Sequence, residues 1–496
     1  MLKIRKVKTS SGKRAVQVIL YKDYKRKVLK HIGSGKDDAE IQLLKLQANQ
    51  FIKDYTQQLS VFPSDNPNML LFIEHTECIG FYYGFFYTTI QTLIEQIGFS
   101  KVCNSLLQDL VTIRILEPAS KLRSIELLKS YFGINHRRQN YYNEAPKWLE
   151  LKEQVQRTVL SFAQKVYSLD STLMFYDVTT LYFETFEGDE LRKTGFSKDN
   201  KAQQPQILVG LMVNKDGFPI AFDIYPGNTF EGHTIIPTIK SFMKLHEVKN
   251  LTVVADAAMI STDNIEQLRK ENIHYIVGAR LGNLGKESFE LLDSKIIRED
   301  GKTVRINTDK GYLICGFSTV RYRKDNYEME KQLLKAKAIV DQPAKNKKAK
   351  FVKTHQEQLT LNAELITKTS KLLGLKGYYT DLDEATLSTN EVIKRYHDLY
   401  KIEQAFRIAK SDLETRPIFH FKDEPIRLHL LICFMALVIS KHIELKTGIS
   451  IKKFVTESKR VTDARMINSL TQKEIIIKGK LTKTTTAILQ NLSIPH

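Results

Sequence analysis

A chain of 496 residues, 42% of them hydrophobic, has room for roughly two to four domains with cores of their own. Its 75 Lys and Arg against 56 Asp and Glu, a net charge of +19, imply a polyanionic partner, with nucleic acid the best fit. A membrane span, a secretory leader, a zinc site and a disulfide framework are all disfavoured: the longest apolar run, Leu430 to Ile439, is too short for a bilayer, the N-terminus has no apolar core, and Cys78, Cys103, Cys315 and Cys433 lack ligand spacing, so a cytoplasmic, nucleoid-associated protein with reduced thiols is expected.

The first 36 residues hold twelve Lys or Arg and one acid, Asp23. Short alternating segments (KIRKVKT, AVQVILY, VLKHIG) broken by Ser-Gly and Gly-Ser-Gly predict a small basic β segment over residues 1–37. Charge this dense suits phosphate contacts, although edge-strand lysines also discourage aggregation.

Over 38–168 the period is mostly helical. Ile90, Leu93, Ile94 and Ile97 share one helical face, as do Val159, Leu160, Phe162, Ala163 and Val166, and Ser120 is a candidate N-cap after a Pro-Ala break. Arg114, Lys121, Arg123, Arg137 and Arg138 punctuate this region. It reads as a DNA-binding or dimerisation domain, or as a plain helical scaffold.

From about residue 170 the period falls to two. LMFYDVTTLYF, QILVGLMVN and FPIAFDIYP predict three antiparallel strands, the last two joined by a turn at Asn214 to Gly217. A helix (GHTIIPTIKSFMKLH), a buried strand (LTVVAD), a helix capped by Ser261 or Thr262 and a further strand (HYIVGAR) come next, giving the order β-β-β-α-β-α-β. Asp177 and Asp256 are expected at the ends of the first and fourth strands. Residues 281–375 read as an insertion with strand-like segments, a charged helix and a lysine cluster (Lys345, Lys347, Lys348, Lys350, Lys353) that suits a solvated loop or DNA contact. GYYTDL returns to the core, which is expected to span 169–280 and 376–445, with a buried helix after Thr415 and a basic tail over 446–496.

RYHDLYKIEQAFRIAKSDL (Arg395 to Leu413) predicts one amphipathic helix. Tyr396, Glu403 and Lys410, seven apart, then share a stripe with Arg407 beside it, and Ile402, Phe406, Ala409 and Leu413 form the apolar face. A carboxylate at the edge of an apolar run is costly unless a cation compensates it. Three such acids, Asp177, Asp256 and Glu403, on a basic chain suit a metal-dependent phosphodiester chemistry, with Tyr396, Lys410 and Arg407 toward the phosphate.

These segments resemble the DDE transposases of bacterial insertion sequences with the signature Y-x-x-R-x-x-x-E-x-x-x-x-x-x-K. Tyr396, Leu399, Glu403 and Lys410 occupy its places, so the arginine is replaced by leucine. YDVTTLYFE, VVADAAMIS, PGNTFEGHT and RPIFHF are similar to other segments of that family. The resemblance implies a mixed α/β, ribonuclease-H-like core carrying a β-rich insertion, with Asp177, Asp256 and Glu403 holding two Mg²⁺ ions, for which Mn²⁺ could stand in. It further implies cleavage at the ends of the element, strand transfer into double-stranded target DNA, and a homodimer in the synaptic complex. A ribonuclease-H-like nuclease or resolvase without strand transfer, and a non-catalytic DNA-binding protein, are the alternatives.

Overall fold

The computed structural model describes residues 2–22, 25–56, 76–169, 172–196, 203–259, 261–342, 349–355, 358–468, 472 and 474–495. Asp23 and the lysines 345, 347 and 348 lie outside the described residues. The chain divides into two compact units: Met1–Phe86, Ser130–Gly133 and Ser458–Thr485 form the smaller, and Tyr87–Lys129, Ile134–Glu457 and Thr486–His496 the larger.

The basic N-terminal segment folds as an antiparallel meander of β1 (Leu2–Lys8), β2 (Arg14–Lys22) and β3 (Lys25–Gly35). α1 (Asp38–Thr56) covers one face, where Val16 and Val18 pack with Ile41, Leu44 and Ala48. Alternation puts these two valines of β2 on one face toward α1. β4 (Thr76–Tyr82) then interrupts the helical pattern. Helices α2 (Gly84–Ile97), α3 (Ser105–Leu116), α4 (Lys121–Phe132), α5 (Arg138–Trp148) and α6 (Lys152–Tyr167) come after it, and Ser120 caps α4, its Oγ accepting from the Arg123 N–H at 3.3 Å.

The core begins with β5 (Leu173–Tyr182), β6 (Gln206–Val213) and β7 (Pro219–Pro226), an antiparallel run as the period predicts. Asn214 closes the β6–β7 turn by accepting from the Asp216 and Phe218 N–H groups, with Gly217 at φ +79°. α7 (Ile235–His246), β8 (Leu251–Ala255), α8 (Thr262–Lys270) and β9 (Ile273–Ala279) complete the expected order, and Ser261 is the cap of α8. β5, β8 and β9 run parallel.

The interval after β9 contains α9 (Lys286–Lys295), β10 (Thr303–Thr308), β11 (Gly311–Phe317), α10 (Thr319–Asp341), the hairpin of β12 (Val352–His355) and β13 (Gln358–Leu361), and α11 (Ala363–Lys371). It holds more helix than its sequence pattern suggests. β10 and β11 do not stand apart from the core, because β14 (Leu375–Thr380) bridges them to β9 in one eight-stranded sheet of order β10-β11-β14-β9-β8-β5-β6-β7. A mixed α/β architecture with a ribonuclease-H-like core accommodates this topology.

α12 (Thr389–His397) and α13 (Tyr400–Arg407) lead to α14 (Asp423–Thr447). α14 is long and apolar enough to cross a bilayer, yet 89% of its apolar stretch is buried inside the protein. Apolar side chains surround it on all sides, as a helix in the middle of a core requires. α15 (Ile451–Lys459) is next, then β15 (Asp463–Asn468), which lies between β4 and β16 (Glu474–Ile477) in a three-stranded sheet of the smaller unit, and α16 (Lys483–Asn491).

Candidate active site

The sheet register brings two acids side by side. Tyr176 of β5 pairs with Ala255 of the parallel strand β8, so the next residues, Asp177 and Asp256, stand at one level on adjacent strands. Asp256 directly succeeds the last residue of β8, as expected, and its carbonyl closes a turn with the Met259 N–H at 3.0 Å. Asp177 differs from the expectation. It lies midway along β5, which runs on to Tyr182 because residues past the acid still pair with β6. Tyr176 and Val178 are buried on either side of it while Asp177 is half-buried.

Glu403 reaches the same place from α13. The single helix predicted over Arg395 to Leu413 is three segments: α12 ends at His397, α13 restarts at Tyr400, and a π-helical turn extends over Ile408–Asp412. Of the expected apolar face Ile402, Phe406 and Leu413 are buried and Ala409 is half-buried. Full burial of such a side chain contributes about 1.5–3 kcal/mol, which anchors α13 with Glu403 on its open side.

A pocket of about 360 Å³ is lined by Asp177, Asp256, Glu403, Tyr396, Lys376, His397, Leu399 and Tyr400. The Tyr396 hydroxyl donates to Asp256 Oδ1 at 3.1 Å. Burial, then the charge and hydrogen bond of Asp256, push that phenol well above the ordinary tyrosine range, so it stays a donor. The approach depends on Gly278 of β9, because a Cβ there would sit 2.6 Å from the Tyr396 hydroxyl. Among the described residues no three His, Cys, Asp or Glu side chains form a ready-made metal cage. Asp177, Asp256 and Glu403 instead surround an open pocket, and their carboxylate oxygens are hard donors of the kind divalent cations such as Mg²⁺ take.

Arg407 and Lys410 do not line this pocket. Arg407 is exposed, and its charge acts on Asp412. A π turn adds a residue to the helical repeat and so rotates the succeeding residues by about 100°. Lys410, inside that turn, lines a small apolar cavity of about 40 Å³ with Thr179, Phe406 and Cys433.

Sequence analysis missed Lys376. It is the second residue of β14, two before Tyr378 and therefore on the same strand face. Its ammonium lies 5.0 Å from the Tyr396 ring centroid and 5.5 Å from that of Tyr378. Burial and the Arg321 charge lower its pKa, while Asp256 and Glu403 oppose that fall. Leu399, at the place of the signature arginine, lines the pocket as well. The available signal was the lone charged residue of the strand LKGYYT.

No curated protein matches the chain. Among solved structures, it is similar to a piggyBac transposase synaptic complex with hairpin DNA, at 12% identity and TM-score 0.38, covering 83% of this chain and 72% of that one. A Mos1 transposase paired-end complex with the left transposon end is similar at 11% identity and TM-score 0.16, covering 47% and 66%. These likenesses are too distant to carry an assignment. The transposase DDE domain matches residues 168–439, more than half of the sequence and the whole of the pocket. By that match the chain belongs to the DDE transposases, enzymes that cleave DNA and transfer its strands and that generally use divalent metal ions.

Proposed function

We propose that Asp177, Asp256 and Glu403 are the catalytic carboxylates and hold two Mg²⁺ ions, in a transposase of a bacterial insertion sequence that acts as a homodimer on paired element ends. The observation that carries this reading is the common lining of one pocket by three acids that are 79 and 147 residues apart in sequence (256 − 177 and 403 − 256).

When bound, the ions supply a lowered pKa for an attacking water and charge neutralisation at the leaving 3′ oxygen. Asp177 and Asp256, level on adjacent strands, offer oxygens from the sheet, and Glu403 offers its own from the facing helix. Tyr396 fixes Asp256 by donating to Oδ1, which leaves the other oxygen for a ligand. Lys376 brings a positive charge to the non-bridging oxygens of the scissile phosphate, the role Leu399 cannot fill. Two steps share the pocket: hydrolysis breaks the P–O3′ bond and exposes a 3′-OH at the element end, and that hydroxyl attacks a target phosphodiester, displacing the target's own 3′ oxygen as the new ester bond forms.

The test uses labelled DNA carrying the terminal repeats that flank the reading frame. Wild-type protein with Mg²⁺ gives cleaved ends and joined products, while Asp177→Asn, Asp256→Asn and Glu403→Gln each give neither and still bind the ends. Cleavage without joining supports the nuclease reading, and ample cleavage by one variant removes that residue from the site.

A further inference from the structure

A second cavity of the larger unit, about 370 Å³, shares no lining residue with the carboxylate pocket. Its walls are the start of α4 with Lys121, the tyrosines Tyr141 and Tyr142 of α5, His420, and the start of α14. Lys121 is only 4% exposed and Arg114 behind it 5%. Their hydrogen bonds go to neutral groups. Arg114 Nη2 donates to the Ala119 carbonyl at 2.8 Å, and Lys121 Nζ lies 3.2 Å from His429 Nδ1.

The histidine has its tautomer fixed. His429 Nε2 is 3.1 Å from the Thr415 carbonyl and so carries the proton, which leaves Nδ1 to accept from Lys121. One of the three ammonium protons is thereby used. Among the described residues no acid pairs with Lys121 or Arg114, and the only acidic side chain lining the cavity, Glu424, is exposed to solvent. A buried lysine and arginine with no acid partner are costly as cations unless an anion joins them or the lysine gives up its proton. Their field reaches the surrounding groups. Burial and the Arg114 charge push Lys121 down to about 7, and burial with the charges of Lys121 and Arg114 pushes His420 down to about 4.

The cavity has the further parts an anion site needs. It opens at the N-terminal end of a twelve-residue helix, whose first-turn N–H groups carry partial positive charge. Tyr142, about half exposed, stands at its mouth with the Arg138 guanidinium 5.6 Å from its ring centroid. The volume falls within the range of small-ligand sites, roughly 300–1,000 Å³.

We propose that this cavity is a second phosphate-binding site, in which Lys121 and the N-terminus of α4 take a backbone phosphate of the DNA that the enzyme processes, with Tyr142 against the adjoining sugar or base. The assignment rests on the chain's being a DNA-processing enzyme and not on the metal reading of the carboxylate pocket. Lys121 is a binding residue here, remote from the reacting atoms.

The experiment measures binding of a fluorescent duplex to the full chain in EDTA, across a salt series, for wild type, Lys121→Met and Lys121→Arg. Chelation keeps the carboxylate pocket silent, so failure here and failure of the catalytic reading are separable. Lys121→Met is expected to weaken binding about tenfold and to reduce the slope of log affinity against log salt by about 1, the loss of one phosphate contact. Lys121→Arg keeps most of the affinity. The free Lys121→Met protein melts no lower than wild type, because an unpaired buried charge has become apolar, whereas a purely structural lysine would show lost stability and an unchanged salt slope. A parallel arm heats wild type in inorganic phosphate or in chloride of equal ionic strength, and extra protection by phosphate is expected; it remains informative if Lys121→Met fails to fold. Equal affinity and slope in wild type and Lys121→Met overturn the proposal, as does wild type gaining no protection from phosphate. Phosphate protection with no change in duplex binding assigns the cavity to a free anion and overturns the DNA assignment.

Discussion

Two cavities of the larger unit pose opposite electrostatic problems. In one, three carboxylates face a single lysine, so the pocket lacks positive charge. In the other, a lysine and an arginine sit buried beside neutral histidines, so negative charge is missing. Burial raises the cost of the second imbalance, whereas at the first Asp177 is half-buried and Asp256 and Glu403 are exposed, so the acids line an open pocket that a cation can enter. On the proposed readings the first cavity takes a divalent cation and a phosphate, and the second takes a phosphate. The lesson is that an unbalanced charge cluster lining a pocket says more about function than a balanced pair does.

Removing charge from the acidic pocket is the most severe way to break this contrast. Asp177→Asn, Asp256→Asn and Glu403→Gln are expected to lower end cleavage by 10³-fold or more, on the order of what loss of a unit-acting catalytic group costs, measured in single-turnover assays with binding followed in parallel. Next in size is the lone cation. Lys376→Met should cost about 10²-fold in cleavage with little loss of binding, comparable to removing one transition-state donor. If Lys376 fills the place left by the signature arginine, Leu399→Arg in the Lys376→Met background should recover about tenfold, a coupling that a double-mutant cycle reads directly. Smaller again is the orienting hydrogen bond: Tyr396→Phe is expected to cost about tenfold, the scale of an outer-shell partner. Gly278→Ala acts on the same bond from beneath and should cost a similar amount, with no further loss when Tyr396→Phe is added.

Where local pattern controls structure, the sequence was informative. The β-β-β-α-β-α-β order, the Asn214 turn, the caps at Ser120 and Ser261 and the apolar face of α13 all come from period and side-chain chemistry within a few residues. Asp177 and Asp256 could be singled out because each interrupts or ends a buried run, yet only the β5–β8 register shows them to be neighbours. The stretch from Arg395 to Leu413 misled for a physical reason. Helical spacing looks continuous there, but the break at Asp398 and Leu399 and the later π turn shift the phase, which keeps Glu403 in the pocket and carries Lys410 away. Lys376 had no periodic signature, since its importance comes from β14 lying between β11 and β9, a long-range pairing that no local window encodes. Pairing of β15 with β4 is of the same kind, joining a segment of what reads as a polar tail to one almost four hundred residues earlier.

The most direct test of convergence is anomalous scattering from crystals of the full chain grown with Mn²⁺ and terminal-repeat DNA. Metal density within ligand distance of Asp177, Asp256 and Glu403 is the predicted result. Ordered Mn²⁺ bound elsewhere beside the scissile phosphate, with these three side chains unengaged, would contradict the account.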